Sequence, residues 1–445
     1  MIERLKLFID KLKAKFKKDS TTSDKPPSSQ PFHKPVSLRE KSGKRPGGQL
    51  GHPGNGLKLF ENPTNIIEKT PKLCDKCGGM IDLSDNYSAR QLVDVKLVVN
   101  IDEERIRDGI CKCCGNIVKG EFSDGFNNPV QYGNNLKALV ALISEHGCVS
   151  ISRTAEIVNS ISEGVLSISG GTVFNFQREL SKKLEITINR IRETLCEASV
   201  LNADETGCRV NGSLKWIQVF CNERLALFTT NSKRGDIDAN LNILTYFMGI
   251  LVHDHFSSYY KYDHLDHAEC NEHILRYLKS LIEIFKHNWA QEMSALLKRA
   301  CHEKNELLRA GMTEMPADQI LEFSERYDAI IKSGRLEYTN ATQGNKKRES
   351  YYADERRLLT RLEEYKKEHL FFLNDFRAPF SNNMAERGCR VYKMKMKVSG
   401  CFRSDEGAII YSRILSLIVT LKKQDKNIFD GIRSVYSGCV PISTA

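Results

Sequence analysis

The stretch VLNADETGCRVNGSLKWIQVFCNERLALFTT, Val200–Thr230, decides the fold class. Val200–Ala203, Lys215–Cys221 and Leu225–Thr229 are short runs, apolar or alternating apolar with polar, the pattern of β-strands. Asn211-Gly212 between the first two suits a tight hairpin turn, because both residues tolerate positive φ. Trp216, Phe220 and Phe228 are expected in the core. A helix is expected over Ile237–Phe247 and a fourth strand over Ile250–His253. The order is therefore three strands, helix, strand, a mixed α/β core.

Two of these strands run into an acid. Asp204 follows Ala203, and Asp254 follows His253. Acids at the ends of neighbouring strands can converge on one cation. A third acid, Glu386, is the one acidic residue among seven basic ones in 377–403, namely Arg377, Arg387, Arg390, Lys393, Lys395, Lys397 and Arg403. Three carboxylates holding two divalent ions can activate the attacking oxygen and stabilise the leaving oxygen of a displacement at phosphorus. Oxygen donors suit Mg²⁺ or Mn²⁺. Arg387, Arg390, Lys393 and Lys397 recur at helical spacing and form a candidate phosphate-facing stripe, with a solvated face as the alternative. His253 and His255 flank Asp254 and, on a strand, point to the opposite face. Glu205 is expected to point away from Asp204 for the same reason. Asn383, three residues before Glu386, is a candidate for orienting it.

Outward from this core, 268–370 reads as helical and charged, 371–404 carries the Glu386 helix, and 405–445 forms C-terminal helices, with the first part of the core at 198–267. Upstream, 128–197 is helical. Leu136, Leu139, Val140 and Ile143 make one stripe, Ser152 opens a second helix, and Ser169 caps a third over Gly170–Leu184. Three short helices fit either a helix-turn-helix or an ordinary helical subdomain. Residues 57–127 hold two CxxCG knuckles, Cys74–Gly78 and Cys111–Gly115, with β-leaning segments such as Gln91–Asn100 between them. In each knuckle the CxxC turn lets two thiolates reach one metal, and the glycine takes the left-handed backbone the turn needs. Cys74, Cys77, Cys111 and Cys114 would complete a closed, structural Zn²⁺ site, with Cys113 an alternative to Cys114. Residues 19–56 are a Pro/Ser/Gly-rich basic linker in which Lys44 and Arg45 are candidate phosphate contacts. Residues 1–18 read as an amphipathic helix.

The 445 residues leave room for several domains and carry a formal net charge of +10, which favours a polyanionic partner. The 13 Lys/Arg against 5 Asp/Glu in 1–50 sharpen that expectation. No secretory segment follows Met1, and the most apolar stretch, Ala408–Leu421, is short and broken by Arg413. A cytoplasmic protein with no membrane contact, whose 14 cysteines are thiols or metal ligands, is the expectation.

Several boxes together resemble the insertion sequence 66 family of bacterial DDE transposases. They are KPPSS at 25–29, LREKSGKRPGGQLGH at 38–52, VQYG at 130–133, ADETG at 203–207, HDHFSSY at 253–259, NNMAER at 382–387 and KVSGCFRS at 397–404. The double knuckle fits as well. The resemblance implies a ribonuclease H-like catalytic core with Asp204, Asp254 and Glu386 as the metal triad, and a helical insertion filling the 132-residue gap from Asp254 to Glu386. Cys270-x-x-His273, in that gap, resembles a CxxH motif of many such transposases. As a zinc site it lacks two ligands, for which Cys301 and His302 are candidates.

The implied reaction is metal-dependent hydrolysis of DNA strands at the element ends, followed by transfer of the 3′-OH ends to target DNA. A homo-oligomer on paired ends and accessory proteins are expected partners. Two rivals stay open: a non-catalytic zinc-containing DNA-binding regulator, and a ribonuclease H-like nuclease that does not join strands.

Overall fold

The computed structural model describes residues 51, 58–238 and 241–444. The readings for 1–18 and for Lys44 and Arg45 lie outside the described residues. The chain divides into a smaller unit, Pro35–Asp102, and a larger one containing Glu103–Ala445.

Among the described residues, the smaller unit has no helix or strand. Gln91–Asn100 does not become a strand: among the described residues no backbone pairs with it, and Leu92, Val93, Val95 and Val98 stay exposed. The turn at Cys74 forms as its sequence requires. Gly78 N–H donates to Cys74 O (2.8 Å), Cys74 N–H donates to Gly79 O (2.9 Å), and Gly78 sits at φ +71°.

The larger unit opens on a short antiparallel ladder, β1 (Gly109–Ile110) with β2 (Ile117–Val118), around the second knuckle. There Gly115 N–H donates to Cys111 O (2.9 Å), with Gly115 at φ +71°. Four helices follow: α1 (Asn134–Ala141, prolonged by a π-turn over Leu142–His146), α2 (Ile151–Ile161), α3 (Gly170–Lys183) and α4 (Glu185–Cys196). Ser169 caps α3 as expected, but Ser150 rather than Ser152 caps α2, accepting from Arg153 N–H. Residues 162–169 between α2 and α3 are longer than the three- or four-residue turn of a helix-turn-helix. Val140, Ala155, Val158, Ile168, Val173 and Phe176 form a small core of their own here.

The central sheet has five strands: β3 (Val200–Val210), β4 (Ser213–Cys221), β5 (Ala226–Asn231), β6 (Ile250–His253) and β7 (Asp266–Glu269), in the order β5-β4-β3-β6-β7. The first three are antiparallel neighbours; β6 and β7 add on in parallel. The expected hairpin forms, with Asn211 and Gly212 at φ +46° and +76°. It holds β3 to β4 as far as Val210, so Asp204 lies inside β3 rather than beyond it. The helix expected over Ile237–Phe247 shrinks to α5 (Ile243–Tyr246). Asp238 and Asn242 take positive φ, and the Asp238 carboxylate accepts the backbone N–H groups of Ile243 and Leu244 (2.7 Å each), making a capped loop. Trp216 is half-buried, not core, whereas Phe220 and Phe228 are buried.

Alternation divides the sheet into two faces. Leu201, Ala203, Leu227 and Leu251 join the core built with α4 and the C-terminal helices α13 (Asp405–Lys423) and α14 (Ile428–Tyr436). On the other face, Ile250, Val252 and Ala268 pack on the helical insertion, while Ile217, Val219 and Phe228 pack on α12 (Asn383–Ser399). The insertion comprises α6 (Asn271–Phe285), α7 (Asn288–Arg309), α8 (Ala317–Thr342), α9 (Lys346–Tyr351), α10 (Ala353–Glu364) and α11 (Lys366–Asn374), around Trp289, Phe323, Tyr327 and Phe372. It starts after β7, so the boundary expected at 267/268 falls inside a strand.

Two details set how the helices meet the sheet. Ser412, Ser416 and Thr420 recur every four residues on α13 and line the outer edge of β5. Thr420 Oγ1 accepts Ala226 N–H (3.1 Å) and Ser416 Oγ accepts Phe228 N–H (2.9 Å), so the sheet edge is covered rather than open. On α12, a side chain at Gly388 would bring its Cβ within 3.1 Å of Val219 and 3.3 Å of Phe228, so glycine lets this helix lie close on the strands. Among the described residues, no helix is long and apolar enough to cross a membrane.

Candidate active site

The parallel pairing of β3 with β6 matches Val200 to Ile250, Leu201 to Leu251 and Asn202 to Val252. Two residues beyond the last pair stand Asp204 on one strand and Asp254 on the other. Equal spacing from a fixed register puts the two acids side by side, on the face that α12 and the insertion cover. Electrostatics agree: burial, with the charges of Asp254 and Glu205 beside it, pushes the Asp204 carboxyl well above the usual aspartate range. Asp204 Oδ1 accepts the backbone N–H of Glu205 (2.8 Å), and the Cys389 thiol on α12 also hydrogen-bonds this carboxyl. Asp254 is half-buried, with Oδ1 accepting Phe256 N–H at 3.3 Å.

Glu386 sits in the first turn of α12. Its Oε2 faces Arg390 (3.1 Å) and Arg276 (3.6 Å); its Oε1 lies 3.8 Å from His273 Nδ1 and is buried without a hydrogen bond. Its charge acts on the Cys270 thiol, whereas the carboxylates acting on Asp204 are Asp254 and Glu205. The expected triad is thus arranged as a pair of aspartates and a third acid held by neighbouring basic groups.

Asn382, not Asn383, is the asparagine that ties α12 to the sheet. It is fully buried, donating to Ala203 O (2.7 Å) and accepting from Asn202 Nδ2 (2.9 Å), while its backbone N–H reaches Cys270 Sγ (3.1 Å). Asn383 is exposed. Both stand in the same NNMAER box, and nothing in the sequence distinguishes them before the helix phase is known.

Glu205 does point away from Asp204, to the opposite face, where it accepts from Arg234 (2.6 Å) and Tyr259 OH (2.9 Å). His253 also faces away, within bonding distance of His267 (3.0 Å). A residue missed in the sequence, Glu269 at the end of β7, gathers His255, Tyr260, Arg361 (2.7 Å) and His369 (2.8 Å) around one buried carboxylate. Burial alone would raise its pKa, but the hydrogen bonds from His255 and His369 and the charge of Arg361 hold it below the usual glutamate range. This network fastens the loop after Asp254 to α10 and α11. Beside it lies a groove of about 440 Å³ lined by His255, Arg356, Arg357, Thr360, Arg361 and Tyr365.

On the basic stripe of α12, Arg387, Arg390 and Lys397 are exposed. Lys393 differs, because its ammonium donates to Gly207 O and so helps hold α12 to β3.

In the knuckles, backbone N–H groups of Lys76 and Cys77 lower the Cys74 thiol, and those of Cys114 and Cys113 lower the Cys111 thiol. Both cysteines are thereby inclined toward the thiolate form that binds metal.

The model of the Transposase IS66 family matches residues 129–409, more than half of the chain and all three acids, and the protein belongs to that family. It is therefore a transposase, an enzyme of DNA transposition that binds DNA. No curated protein matches the chain.

Proposed function

We propose that this transposase hydrolyses DNA strands at the ends of its element and joins the freed 3′-OH ends to target DNA, with Asp204, Asp254 and Glu386 as its metal-binding carboxylates. The observation that carries the reading is the register-matched pair Asp204 and Asp254. The two aspartates stand at matching positions of paired strands, the charge of Asp254 helps to raise the Asp204 pKa, and their all-oxygen donor set fits Mg²⁺ or Mn²⁺. Bound there, a pair of such ions would supply the polarisation that a displacement at phosphorus needs. Three antiparallel strands extended by two parallel ones support a ribonuclease H-like core, with the insertion between β7 and α12.

The protein's own groups have definable roles in this reading. Cys389 and the Glu205 N–H orient the Asp204 carboxylate. Asn382 fixes the start of α12 one turn before Glu386. Arg387, Arg390 and Lys397 offer exposed charge to the DNA backbone. In the first step water attacks phosphorus and the 3′ oxygen leaves, taking a proton. In the second, that 3′-OH attacks a target phosphodiester and the displaced strand leaves. The first step breaks one phosphoester bond and forms a P–OH, and the second exchanges one phosphoester for another, so neither needs ATP. Cutting two ends in concert calls for more than one protomer, and a homo-oligomer on paired ends is part of the proposal. The helical block 128–197 is proposed to contact the ends.

The test is an assay on DNA carrying the element ends, with Mg²⁺. Wild type is expected to give cleaved and joined products, while Asp254→Asn and Glu386→Gln still shift the DNA in a binding assay and give neither. Cleaved ends without joined product would leave a simple nuclease; cleavage by Asp254→Asn at the wild-type rate would remove the aspartate pair from the mechanism.

The two knuckles are proposed to bind one structural Zn²⁺ through Cys74, Cys77, Cys111 and Cys114, the left-handed glycines and lowered thiols being the support. Purified full-length protein should carry zinc that Cys111→Ser loses; equal zinc in both proteins would contradict this assignment.

A further inference from the structure

Among the described residues, one group of three brings metal-binding atoms together outside the aspartate pair: Cys270, His273 and Glu386, with one donor atom of each within 4.8 Å of the others. We propose that these three side chains form a binding site for a thiophilic divalent cation of the zinc class, chemically distinct from the magnesium-type site at Asp204 and Asp254. The expected partners for this CxxH pair, Cys301 and His302, do not join the group. Its third donor comes instead from 113 residues further along the chain.

The donor set decides the ion. A thiolate and an imidazole select zinc-like cations, while Mg²⁺ requires oxygen around an octahedron. Tetrahedral zinc, with bonds of about 2.0 to 2.3 Å, separates its ligand atoms by roughly 3.3 to 3.7 Å. His273 Nδ1 and Glu386 Oε1 already stand 3.8 Å apart. The donors are held by the fold: Cys270 caps the start of α6, His273 lies one turn along the same helix, and Glu386 opens α12. Asn382 N–H donates to Cys270 Sγ (3.1 Å), which binds the two helix starts together and stabilises charge on sulfur. Glu386 Oε1, the atom turned toward this cluster, is buried and accepts no hydrogen bond. Arg276 and Arg390 both engage the other oxygen, Oε2, so Oε1 can take an ion without losing either contact. Three protein donors leave one position for water.

The site shares Glu386 with the proposed DNA chemistry, and the consequence rests on that reading: an ion held by Cys270 and His273 retains Glu386 at the insertion and withdraws it from the aspartate pair. Zinc is then an inhibitor of a magnesium-dependent reaction.

Co²⁺ reports this directly, because cobalt bound to a thiolate gives sulfur-to-metal charge-transfer absorption. Full-length protein is titrated with Co²⁺ in excess Mg²⁺, and wild type is compared with Cys270→Ala and Glu386→Gln. Differences between proteins cancel whatever the knuckles bind. The expected result is one more cobalt equivalent per chain in wild type than in Cys270→Ala, with binding weakened and its spectrum changed in Glu386→Gln, and zinc displacing that equivalent. Identical titrations for wild type and Glu386→Gln, a substitution that keeps the size and shape of the side chain, would overturn the site even if Cys270→Ala folds poorly. Asp254→Asn separates this inference from the proposed function: it should keep the cobalt equivalent and lose cleavage. Zinc should suppress wild-type cleavage at constant Mg²⁺; undiminished cleavage with the cobalt equivalent present would overturn the inhibitory role.

Discussion

Asp204→Asn is expected to lower strand cleavage by a factor on the order of 10³ or more and, in metal-free buffer near neutral pH, to raise the stability of the folded protein. The two effects have one cause. Burial and the neighbouring charges of Asp254 and Glu205 lift the folded-state pKa of Asp204 well above its ordinary value of 3.8. A carboxyl whose pKa rises on folding takes up a proton as the chain folds. Its contribution is fully present below the unfolded pKa and is lost as pH climbs from about 4 through the folded-state value. Asparagine has no proton to lose, so the variant's advantage over wild type should widen with rising pH across that window. Added Mn²⁺ should stabilise wild type and close the gap, because the ion compensates the paired carboxylates, and should leave the variant nearly unmoved. Thermal unfolding at several pH values, with and without Mn²⁺, measures all of this. A variant less stable than wild type at every pH would show that Asp204 is a structural residue.

The second large effect is expected at Glu269, which no motif in the sequence singles out. Its carboxylate is buried against Arg361, His369, His255 and Tyr260. Removing one partner of a buried ion pair leaves the others desolvated and uncompensated, a loss of about 3–5 kcal/mol. Glu269→Ala should show that loss in urea unfolding. The damage should also reach the Asp254 loop, because His255 and Tyr260 belong to it while Arg361 and His369 belong to the insertion. Cleavage measured well below the unfolding transition should therefore fall, with DNA binding by the α12 stripe retained. Glu269→Gln, which keeps the shape and loses the charge, should lie between wild type and alanine in stability. A change of under about 1 kcal/mol in Glu269→Ala would place the network among weak surface pairs.

The parts of this architecture that were legible in the sequence are those with a strong local signal. The short apolar or alternating runs of β3 to β6 and the Asn211-Gly212 turn needed no tertiary information, and neither did the CxxCG knuckles, whose glycines take the expected left-handed backbone. β7 was hidden because Asp266-His-Ala-Glu269 is mostly polar; it is a strand because β6 pairs with it and Glu269 has partners on the insertion. The helix expected over Ile237–Phe247 failed because the Asp238 side chain satisfies the backbone of the next turn and competes with a helix there. The neighbouring placement of Asp204 and Asp254 follows from strand register, which a sequence reader can anticipate but not fix. The approach of Cys270 and His273 to Glu386 depends on how α6 and α12 pack, and no local pattern encodes it.

The central claim is that Asp204 and Asp254 grip divalent ions together with Glu386 at a DNA phosphate. Anomalous diffraction from crystals of the full-length protein with an element-end DNA and Mn²⁺ tests it most directly. Manganese is expected at coordinating distance, about 2.0 to 2.3 Å, from carboxylate oxygens of both aspartates and next to the scissile phosphate, with Glu386 turned toward the same ions. Manganese bound elsewhere, or touching neither aspartate while the DNA is in place, would contradict it.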